Sequence, residues 1–172
     1  MIKHIIKKNS KLYLKLSLIH RIGIKLWFIN AIFQRVLRRH SEVNFNVHFT
    51  SSIALNDNIK LHKDMNTLAS FAISGGCYFQ AINGIHLGKS FLFAPGVKLI
   101  SANHDMTNNG KSIIGKPIII GDNVWLGADV IILPEVEIGD NCIVGAGSVV
   151  TKSFQEKNLL IAGNPARIIK NI

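Results

Sequence analysis

The sequence predicts a mainly β protein, a parallel β-helix preceded by a helical segment. Aliphatic residues near the C-terminus recur at every sixth position, which is neither the 3.6-residue period of an α-helix nor the two-residue period of a flat strand. Repeats of this length form a parallel β-helix, in which short strands wind around a prism and stack. The regular positions are Ile120, Leu126, Ile132, Ile138, Val144 and Val150.

Small residues accompany this aliphatic series at fixed offsets. Four residues after each of the first five positions comes a second small or apolar residue: Val124, Val130, Val136, Cys142 and Ser148. Glycine directly follows four of the aliphatic residues, at Gly121, Gly127, Gly139 and Gly145. We expect the aliphatic side chains to fill the prism. We expect the glycines to turn its corners, where a Cβ atom would clash.

The repeat extends upstream with two breaks. Leu87, Phe93 and Leu99 keep the period. Leu99 and Ile120 are 21 residues apart, three more than one turn of three six-residue sides, which predicts an extruded loop within residues 105–117. Earlier, less regular coils are predicted by the same spacing at Val47, Ile53, Ile59, Met65, Phe71 and Cys77.

Positive charge is confined to the first forty residues. Residues 1–40 contain ten Lys and Arg residues and no Asp or Glu, and the formal net charge of the chain is +10. The predicted β-helical domain, residues 43–172, is therefore nearly neutral. It lacks the basic face of a nucleic-acid-binding protein, so no nucleic-acid partner is expected.

Residues 1–42 are predicted to form a basic amphipathic helical segment. Between Ile24 and Arg39 one helical face carries Leu26, Ile29, Phe33, Val36 and Leu37, and the other carries Gln34 and the basic residues. Residues 2–20 are similar but less regular. Two compatible interpretations stay open. The helices cap the β-helix or pack between subunits, or they lie on an anionic membrane surface through residues 1–40.

The two cysteines indicate a reducing compartment. Cys77 and Cys142 fall on inward positions of the repeat, which suits buried thiols rather than a disulfide. No uncharged apolar run approaches the roughly 20 residues of a spanning helix, and no signal-peptide cleavage pattern follows the basic N-terminus. We therefore expect a cytoplasmic protein, at the inner face of the membrane if the membrane interpretation holds.

Five motifs together resemble the hexapeptide-repeat O-acetyltransferases related to the maltose and galactoside enzymes, and most closely those that modify bacterial polysaccharides. The motifs are FAPGV (93–97), SANHD (101–105), GKPIIIGDNVWLG (115–127), GAGSVVTK (145–152) and AGNPAR (162–167). The resemblance covers roughly residues 70–172. It implies a left-handed β-helix, a homotrimer, and acetyl-CoA as cosubstrate in clefts between subunits. A short C-terminal helix is also expected.

The resemblance assigns the role of general base to His104. An alcohol is a poor nucleophile at neutral pH, and a neutral imidazole can take its proton during attack on a thioester. Asn103 and Asp105 flank this histidine and are expected to contact a sugar or glycan acceptor. For the oxyanion donor, ungapped counting from the relatives leads to Ser74. Asn83 is the alternative, although a turn role before Gly84 is also open for it.

The resemblance also implies a coenzyme A site. Small residues that let the pantetheine arm lie against the coils are Gly127, Ala128, Gly145 and Ala146. Residues that match the nucleotide end are Thr151, Lys152, Arg167 and, more weakly, Lys170. Trp125 is expected at a corner equivalent to that of His104, on an adjacent coil, where it would wall the acetyl channel.

These observations predict an acetyl-CoA-dependent O-acetyltransferase acting on a sugar hydroxyl, in polysaccharide or glycan biosynthesis. N-acetylation of an amino sugar or nucleotide sugar is the alternative within the class. A non-catalytic scaffold would leave the Asn-His-Asp sequence and the AGNPAR motif unexplained. A zinc hydratase on the same fold needs about three converging histidines. The repeats after His104 contain none, so no metal is expected.

Overall fold

Three parallel sheets form the sides of a prism in a computed structural model that describes residues 10–107 and 110–172. Residues 1–9 of the predicted helical segment lie outside the described part. Sheet 1 has the order β1-β3-β6-β9-β12, sheet 2 the order β2-β4-β7-β10, and sheet 3 the order β5-β8-β11-β13-β14. The fold class predicted from the sequence, a left-handed parallel β-helix with N-terminal helices, is confirmed.

The strands are short. As the chain winds around the prism, successive strands lie on successive sides. Their bounds are β1 Ser52–Ala54, β2 Ile59–Leu61, β3 Tyr78–Gln80, β4 Ile85–Leu87, β5 Leu92–Phe93, β6 Lys98–Ile100, β7 Ile118–Ile120, β8 Trp125–Leu126, β9 Ile131–Ile132, β10 Glu137–Ile138, β11 Ile143–Val144, β12 Val149–Val150, β13 Leu159–Gly163 and β14 Ala166–Asn171. The aliphatic residues of the regular repeat point inward and are all buried.

The corners are turned by asparagines and acidic residues rather than by the glycines of the repeat. Asn123, Asn141 and Asn158 adopt left-handed φ angles of 55°, 57° and 59°, a region that asparagine tolerates better than most residues. Their side-chain amides form a ladder: Asn123 donates to Asn141 at 3.1 Å, and Asn141 donates to Asn158 at 3.0 Å. The repeat glycines lie beside the corners without a left-handed φ angle, so the expectation that they make the turn was wrong, whereas the expected clash of a Cβ atom is confirmed.

The glycines are needed because neighbouring coils stack closely. A Cβ atom on Gly127 would lie 2.6 Å from the backbone nitrogen of Ala146, and one on Gly139 would lie 2.5 Å from the carbonyl oxygen of Gln155. Neither glycine has a positive φ angle. Their role is close approach of backbone to backbone, the second reason for which proteins use glycine.

We predict that Gly139→Ala lowers the free energy of unfolding by about 3 kcal/mol, the upper range for overpacking. The backbone of the next coil would have to move to admit the methyl group. Gly145→Ala is the matched control, because it also follows an inward aliphatic residue, but its Cβ would lie closest to the side chain of Ala162, at 3.0 Å, and no nearer than 3.7 Å to backbone. Urea unfolding measures both. An equal loss for the two variants would contradict the stacking explanation.

A helix replaces one side of an early coil. The six-residue spacing of Met65 and Phe71 predicted a β-coil here, which was wrong: Met65–Ile73 forms an α-helix, α3. Asp64 caps it, accepting hydrogen bonds from the backbone nitrogens of Asn66 and Thr67 at 3.0 and 3.1 Å. Phe71 still fills the prism, because its ring packs 5.0 Å from that of Phe79.

Helix α3 covers the exposed edge of sheet 3. The hydroxyl of Thr67 accepts a hydrogen bond from the backbone nitrogen of Phe91 at 3.1 Å, and that of Ser70 accepts one from Phe93 at 3.4 Å. These bonds provide partners for backbone N–H groups in β5 and in the residue before it. Without such partners, this edge of the sheet could pair with a strand of another chain.

The two helices before the prism are α1 (Ser10–Ile22) and α2 (Ile24–Arg35). Both contact α3, as the capping interpretation expects, and the domain boundary at residue 42 stays a prediction. No single helix in the described residues is long and apolar enough to cross a membrane; Leu12–Ile22 and Ile24–Arg35 meet that test only as a pair, bent by 115°.

Helix α2 buries a different side from the one predicted. Asn30 and Gln34 are buried, whereas Ile29, Val36 and Leu37 of the predicted apolar face are exposed. The helix also ends at Arg35, earlier than expected. The prediction failed because hydrogen bonds to the segment 45–49, described below, decide which side of the helix faces inward.

The C-terminus is a β-hairpin, so the expected short C-terminal helix was wrong. Strand β14 pairs antiparallel with β13, with Ala162 opposite Arg167 and Leu160 opposite Lys170. Ile161 continues the inward series of the repeat and is fully buried, which holds β13 in the sheet. The β-branched pair Ile168–Ile169 then favours a strand over a helix.

Candidate active site

The extruded loop leaves the prism between β6 and β7. Leu99 pairs with Ile132 in sheet 1, whereas Ile120 pairs with Leu87 in sheet 2. The 21 residues between Leu99 and Ile120 thus advance the chain by one side, a step that takes six residues in the next coil, from Ile132 to Ile138. The insertion therefore contains 15 extra residues rather than the three inferred from the sequence, because the chain does not complete an additional coil.

The inserted loop begins and ends as a two-stranded projection. The backbone nitrogen of Asp105 donates to the carbonyl of Lys111 at 2.8 Å, and that of Ile113 donates to the carbonyl of Asn103 at 2.8 Å. The carboxylate of Asp105 also accepts two hydrogen bonds from Thr107, one from the backbone nitrogen at 2.8 Å and one from the hydroxyl at 2.7 Å. Asp105 thus organises the turn of the loop.

Two side chains of neighbouring coils hold the base of the loop. The amide nitrogen of Asn83 donates to the carbonyl of Ser101 at 3.1 Å and to that of Ile113 at 2.9 Å. The backbone nitrogen of Lys116 donates to the carboxylate of Glu135 at 3.1 Å. The loop is therefore fixed at both the entering and the leaving chain.

His104 lies on this projection with a defined tautomer. Its Nδ1 atom is 2.7 Å from the carbonyl oxygen of Gly110. A carbonyl only accepts hydrogen bonds, so Nδ1 carries the proton of the neutral ring, and Nε2 presents a lone pair. The imidazole is exposed. Gly110 adopts a φ angle of 68°, which places its carbonyl against the ring. This geometry makes Nε2 the atom that can accept a proton.

The predicted oxyanion donors serve other roles. Ser74 is buried and its hydroxyl donates to the carbonyl of Phe93 at 2.7 Å, so it has no hydrogen left for an oxyanion; that prediction was wrong. Both amide hydrogens of Asn83 are engaged at the loop base, which leaves its Oδ1 atom able to accept a hydrogen bond. Contacts of Asn83, Asn103 and Asp105 with the acceptor stay predictions.

Several predicted coenzyme A residues share the corner that follows sheet 3. A Cβ atom on Gly127 would meet the backbone of Ala146, and one on Gly145 would meet Ala162, so these residues stack in one column. Ala162 pairs with Arg167, which places an exposed guanidinium beside the column. Small residues thus line a surface next to a cation, as a thin pantetheine arm ending in phosphates requires. Ala128 belongs to the same corner, through its carbonyl bond to Gly147 at 2.8 Å.

Trp125 and Lys170 lie on the outer surface of sheet 3. Paired positions across this sheet run from Leu92 through Trp125, Ile143 and Leu160 to Lys170. Trp125 is half-exposed. The sequence predicted that Trp125 occupies a corner equivalent to that of His104, and this was wrong. The 21-residue spacing between the two residues contains one side and an insertion rather than a full coil.

Thr151 and Lys152 belong to a different corner. They follow β12 of sheet 1, at the turn toward sheet 2, and both are exposed. The Nζ atom of Lys152 lies 5.7 Å from the centre of the Phe154 ring. The His104 loop leaves from the end of β6, at the same turn from sheet 1 to sheet 2. Within one chain, His104 and the Gly127–Arg167 corner are therefore on different edges of the prism.

Sequence reasoning missed Gly110 and Glu135. A glycine in a polar stretch six residues after His104 signals a turn, but nothing local indicates that its carbonyl meets the imidazole. Glu135 carried no signal. Among residues 10–107 and 110–172, no group of three or more His, Cys, Asp or Glu side chains could hold a metal ion.

Comparison with known proteins supports the resemblance inferred from the motifs. Residues 117–152 match the family described as bacterial transferase hexapeptide (six repeats). The galactoside O-acetyltransferase of Escherichia coli (strain K12) is 42% identical over 92 residues, which are 51% of this chain and 44% of that protein. The putative lipopolysaccharide biosynthesis O-acetyl transferase WbbJ of the same strain is 29% identical over 146 residues, 78% of this chain and 74% of that protein.

The similarity is partial in length. The chain spans about half the length of most curated relatives it matches. Among solved structures, an N-acyltransferase from Bacillus cereus in complex with dTDP and coenzyme A superposes with a TM-score of 0.55 at 20% identity, covering 74% of this chain and 80% of that one. At that identity the likeness shows the fold alone. The resemblance to hexapeptide-repeat acetyltransferases, inferred from the motifs, is confirmed.

Proposed function

We propose that this chain, which carries the bacterial transferase hexapeptide repeat, is an acetyl-CoA-dependent O-acetyltransferase that modifies a sugar hydroxyl. The observation that carries this proposal is the hydrogen bond from His104 Nδ1 to the Gly110 carbonyl, at 2.7 Å. It leaves Nε2 unprotonated on an exposed ring, ready to act on a group in solution. A general base in this state suits transfer to a hydroxyl.

The transfer follows from this arrangement. The acceptor hydroxyl attacks the thioester carbonyl while His104 Nε2 takes the hydroxyl proton, so that a carbon–oxygen bond forms. The carbon–sulfur bond then breaks, and the imidazolium returns its proton to the departing sulfur. The products are an acetyl ester and a free thiol, and His104 ends in its starting tautomer. The bond to Gly110 holds the ring in one orientation throughout.

The active site is proposed to form between subunits of a homotrimer. His104 and the small-residue column near Arg167 occupy different edges of one prism, so neither edge alone has both the base and the cofactor surface. In a closed cyclic assembly, one edge of each subunit faces a different edge of its neighbour. Lys152 and Lys170 would then add positive charge for the phosphates of coenzyme A, and Thr151 would add a hydroxyl donor.

The relatives support a glycan acceptor. One is named a galactoside O-acetyltransferase and another a putative lipopolysaccharide biosynthesis O-acetyl transferase. We therefore place the reaction in polysaccharide or glycan biosynthesis. Cys77 and Cys142 are buried free thiols, which supports a reducing, cytoplasmic compartment. Acetylation of an amino sugar is the second candidate, because an amine attacks a thioester with the same base.

A panel of acceptors tests the proposal. The protein is incubated with acetyl-CoA and either neutral sugars, amino sugars or glycan fragments, and release of free thiol is followed. We expect thiol release with a hydroxyl acceptor and formation of an alkali-labile ester. If only amino sugars reacted and their product were stable to alkali, the reaction would be N-acetylation instead. If none of the acceptors in the panel, polymeric glycans included, supported thiol release, the result would contradict the proposal.

A further inference from the structure

Helix α2 turns an apolar surface outward, toward solvent. We call this the outer face of α2; it consists of Ile24, Phe28, Ile29, Ile32 and Val36. Within the described part of the chain, Ile24, Phe28 and Val36 are 68%, 58% and 72% exposed. Helix α1 adds Leu12, Tyr13 and Leu16, which are also exposed. Contiguous exposed apolar surface of this kind marks an interaction site.

Buried polar side chains fix this orientation. The amide of Asn30 donates to the side chain of Asn46 at 2.7 Å and to the carbonyl of Ala72 at 3.0 Å, and its oxygen accepts from the backbone nitrogen of Phe49 at 3.1 Å. Asn30 has no exposed surface. Rolling the helix to bury its apolar side would strand these groups without partners, which is costly.

A second buried amide adds to the same restraint. Gln34 donates to the carbonyl of Phe45 at 3.0 Å and accepts from the backbone nitrogen of Val47 at 3.1 Å. Asn30 and Gln34 are four residues apart and so lie on one side of the helix. The polar side of α2 therefore packs against residues 45–49 and Ala72, and this packing leaves the apolar side facing outward.

Basic residues lie among and beside the apolar residues of the outer face. Lys25 and Arg35 lie on α2, and Arg21 lies on α1; all three are exposed. Arg38 and Arg39 follow directly, and no acidic residue occurs before Glu42. Apolar side chains bordered by cations match the interface of an anionic bilayer, with acyl chains beneath phosphate headgroups.

We propose that α1 and α2 form a peripheral membrane anchor, with the outer face of α2 inserted among the headgroups of an anionic bilayer. The outer face of α2 from a second copy is the less favourable occupant, because two such faces would bring like charges together. The anchor is separate from the His104 loop and would bring the proposed transferase to acceptors held at a membrane surface.

Co-sedimentation with lipid vesicles tests the anchor. The full chain is mixed with vesicles of phosphatidylcholine alone or with phosphatidylglycerol added. We expect binding that needs the anionic lipid and weakens as salt rises, because screening shortens to ~8 Å near 0.15 M. Phe28→Glu combined with Ile32→Glu should lower the partition coefficient at least about tenfold, since two apolar side chains no longer insert.

Matched variants separate the apolar and electrostatic contributions. Leu55→Glu changes an exposed apolar residue outside the helices and should bind like the parent. Lys25→Glu should weaken binding about fivefold or more, whereas Lys89→Glu, with the same change in net charge, should not. Thiol release with a soluble acceptor should be unchanged in all four variants, so failure of the anchor is distinguishable from failure of the enzyme.

Three outcomes would overturn the anchor. The first is no sedimentation of the parent with anionic vesicles. The second is equal binding of the Phe28→Glu, Ile32→Glu variant and the parent. The third is a fall in the molar mass of that variant by light scattering, which would show that another copy covers the outer face.

Discussion

Replacing His104 by alanine is expected to reduce acetyl transfer by about 10²–10⁴-fold, the usual contribution of a general base. The loss should appear in kcat, because Nε2 acts on the proton of the acceptor and contributes nothing to acetyl-CoA binding in the proposed mechanism. Coenzyme A affinity, measured by calorimetry, should stay within about twofold, since the change removes no group from the small-residue corner.

His62→Ala is the control for this result. His62 is exposed and belongs to no part of the proposed site, so its removal should leave kcat unchanged. Near-full turnover by His104→Ala would exclude it as the base. Circular dichroism and thermal unfolding check that the variant still folds, which is expected because the imidazole is exposed and, among the described residues, its hydrogen bond is to a loop carbonyl.

Combining two impaired variants within one trimer is expected to restore activity, which is the second large effect. His104→Ala lacks the base, and Arg167→Glu replaces the cation beside the coenzyme A column with an anion. We expect the latter to lose at least about tenfold in kcat/KM for acetyl-CoA, the value of a charged hydrogen bond. If each site draws His104 from one chain and Arg167 from the next, about a quarter of the sites in randomly mixed trimers are intact.

Co-expression with two affinity tags isolates the mixed trimers. Light scattering of the parent should give the mass of three chains at micromolar concentration, and a monomer mass would contradict the assembly. Separately purified variants mixed without exchange of chains serve as the control and should show no recovery. If isolated mixed trimers were no more active than the average of the two variants, the site would lie within one chain.

The interior of the prism could be predicted from the sequence because the six-residue period reflects a physical constraint at every coil. Leu126, Ile132, Ile138, Val144 and Val150 are buried as expected. The reason for glycine was not predictable in the same way. Spacing shows where glycine recurs, but whether it turns a corner or admits a neighbouring backbone depends on φ angles and on the stacking distance.

The direction in which α2 faces also depended on tertiary structure. Amphipathic patterns assume that the core takes the apolar side, whereas here the backbone of residues 45–49 binds Asn30 and Gln34. At the candidate site, the motifs identified His104, but the orienting carbonyl of Gly110 came only from the structure. A backbone acceptor leaves no side-chain signature in a sequence.

The insertion between β6 and β7 has a consequence for how such proteins diversify. Its anchoring groups, Asn83 and Glu135, are supplied by the coils on either side and bond to backbone atoms at its ends. The entropic cost of closing a loop grows slowly with length, so residues between those anchors, other than His104 and Gly110, can be exchanged for a longer or different segment while the stacked coils keep their register. Acceptor preference could therefore be transplanted between scaffolds as a single cassette.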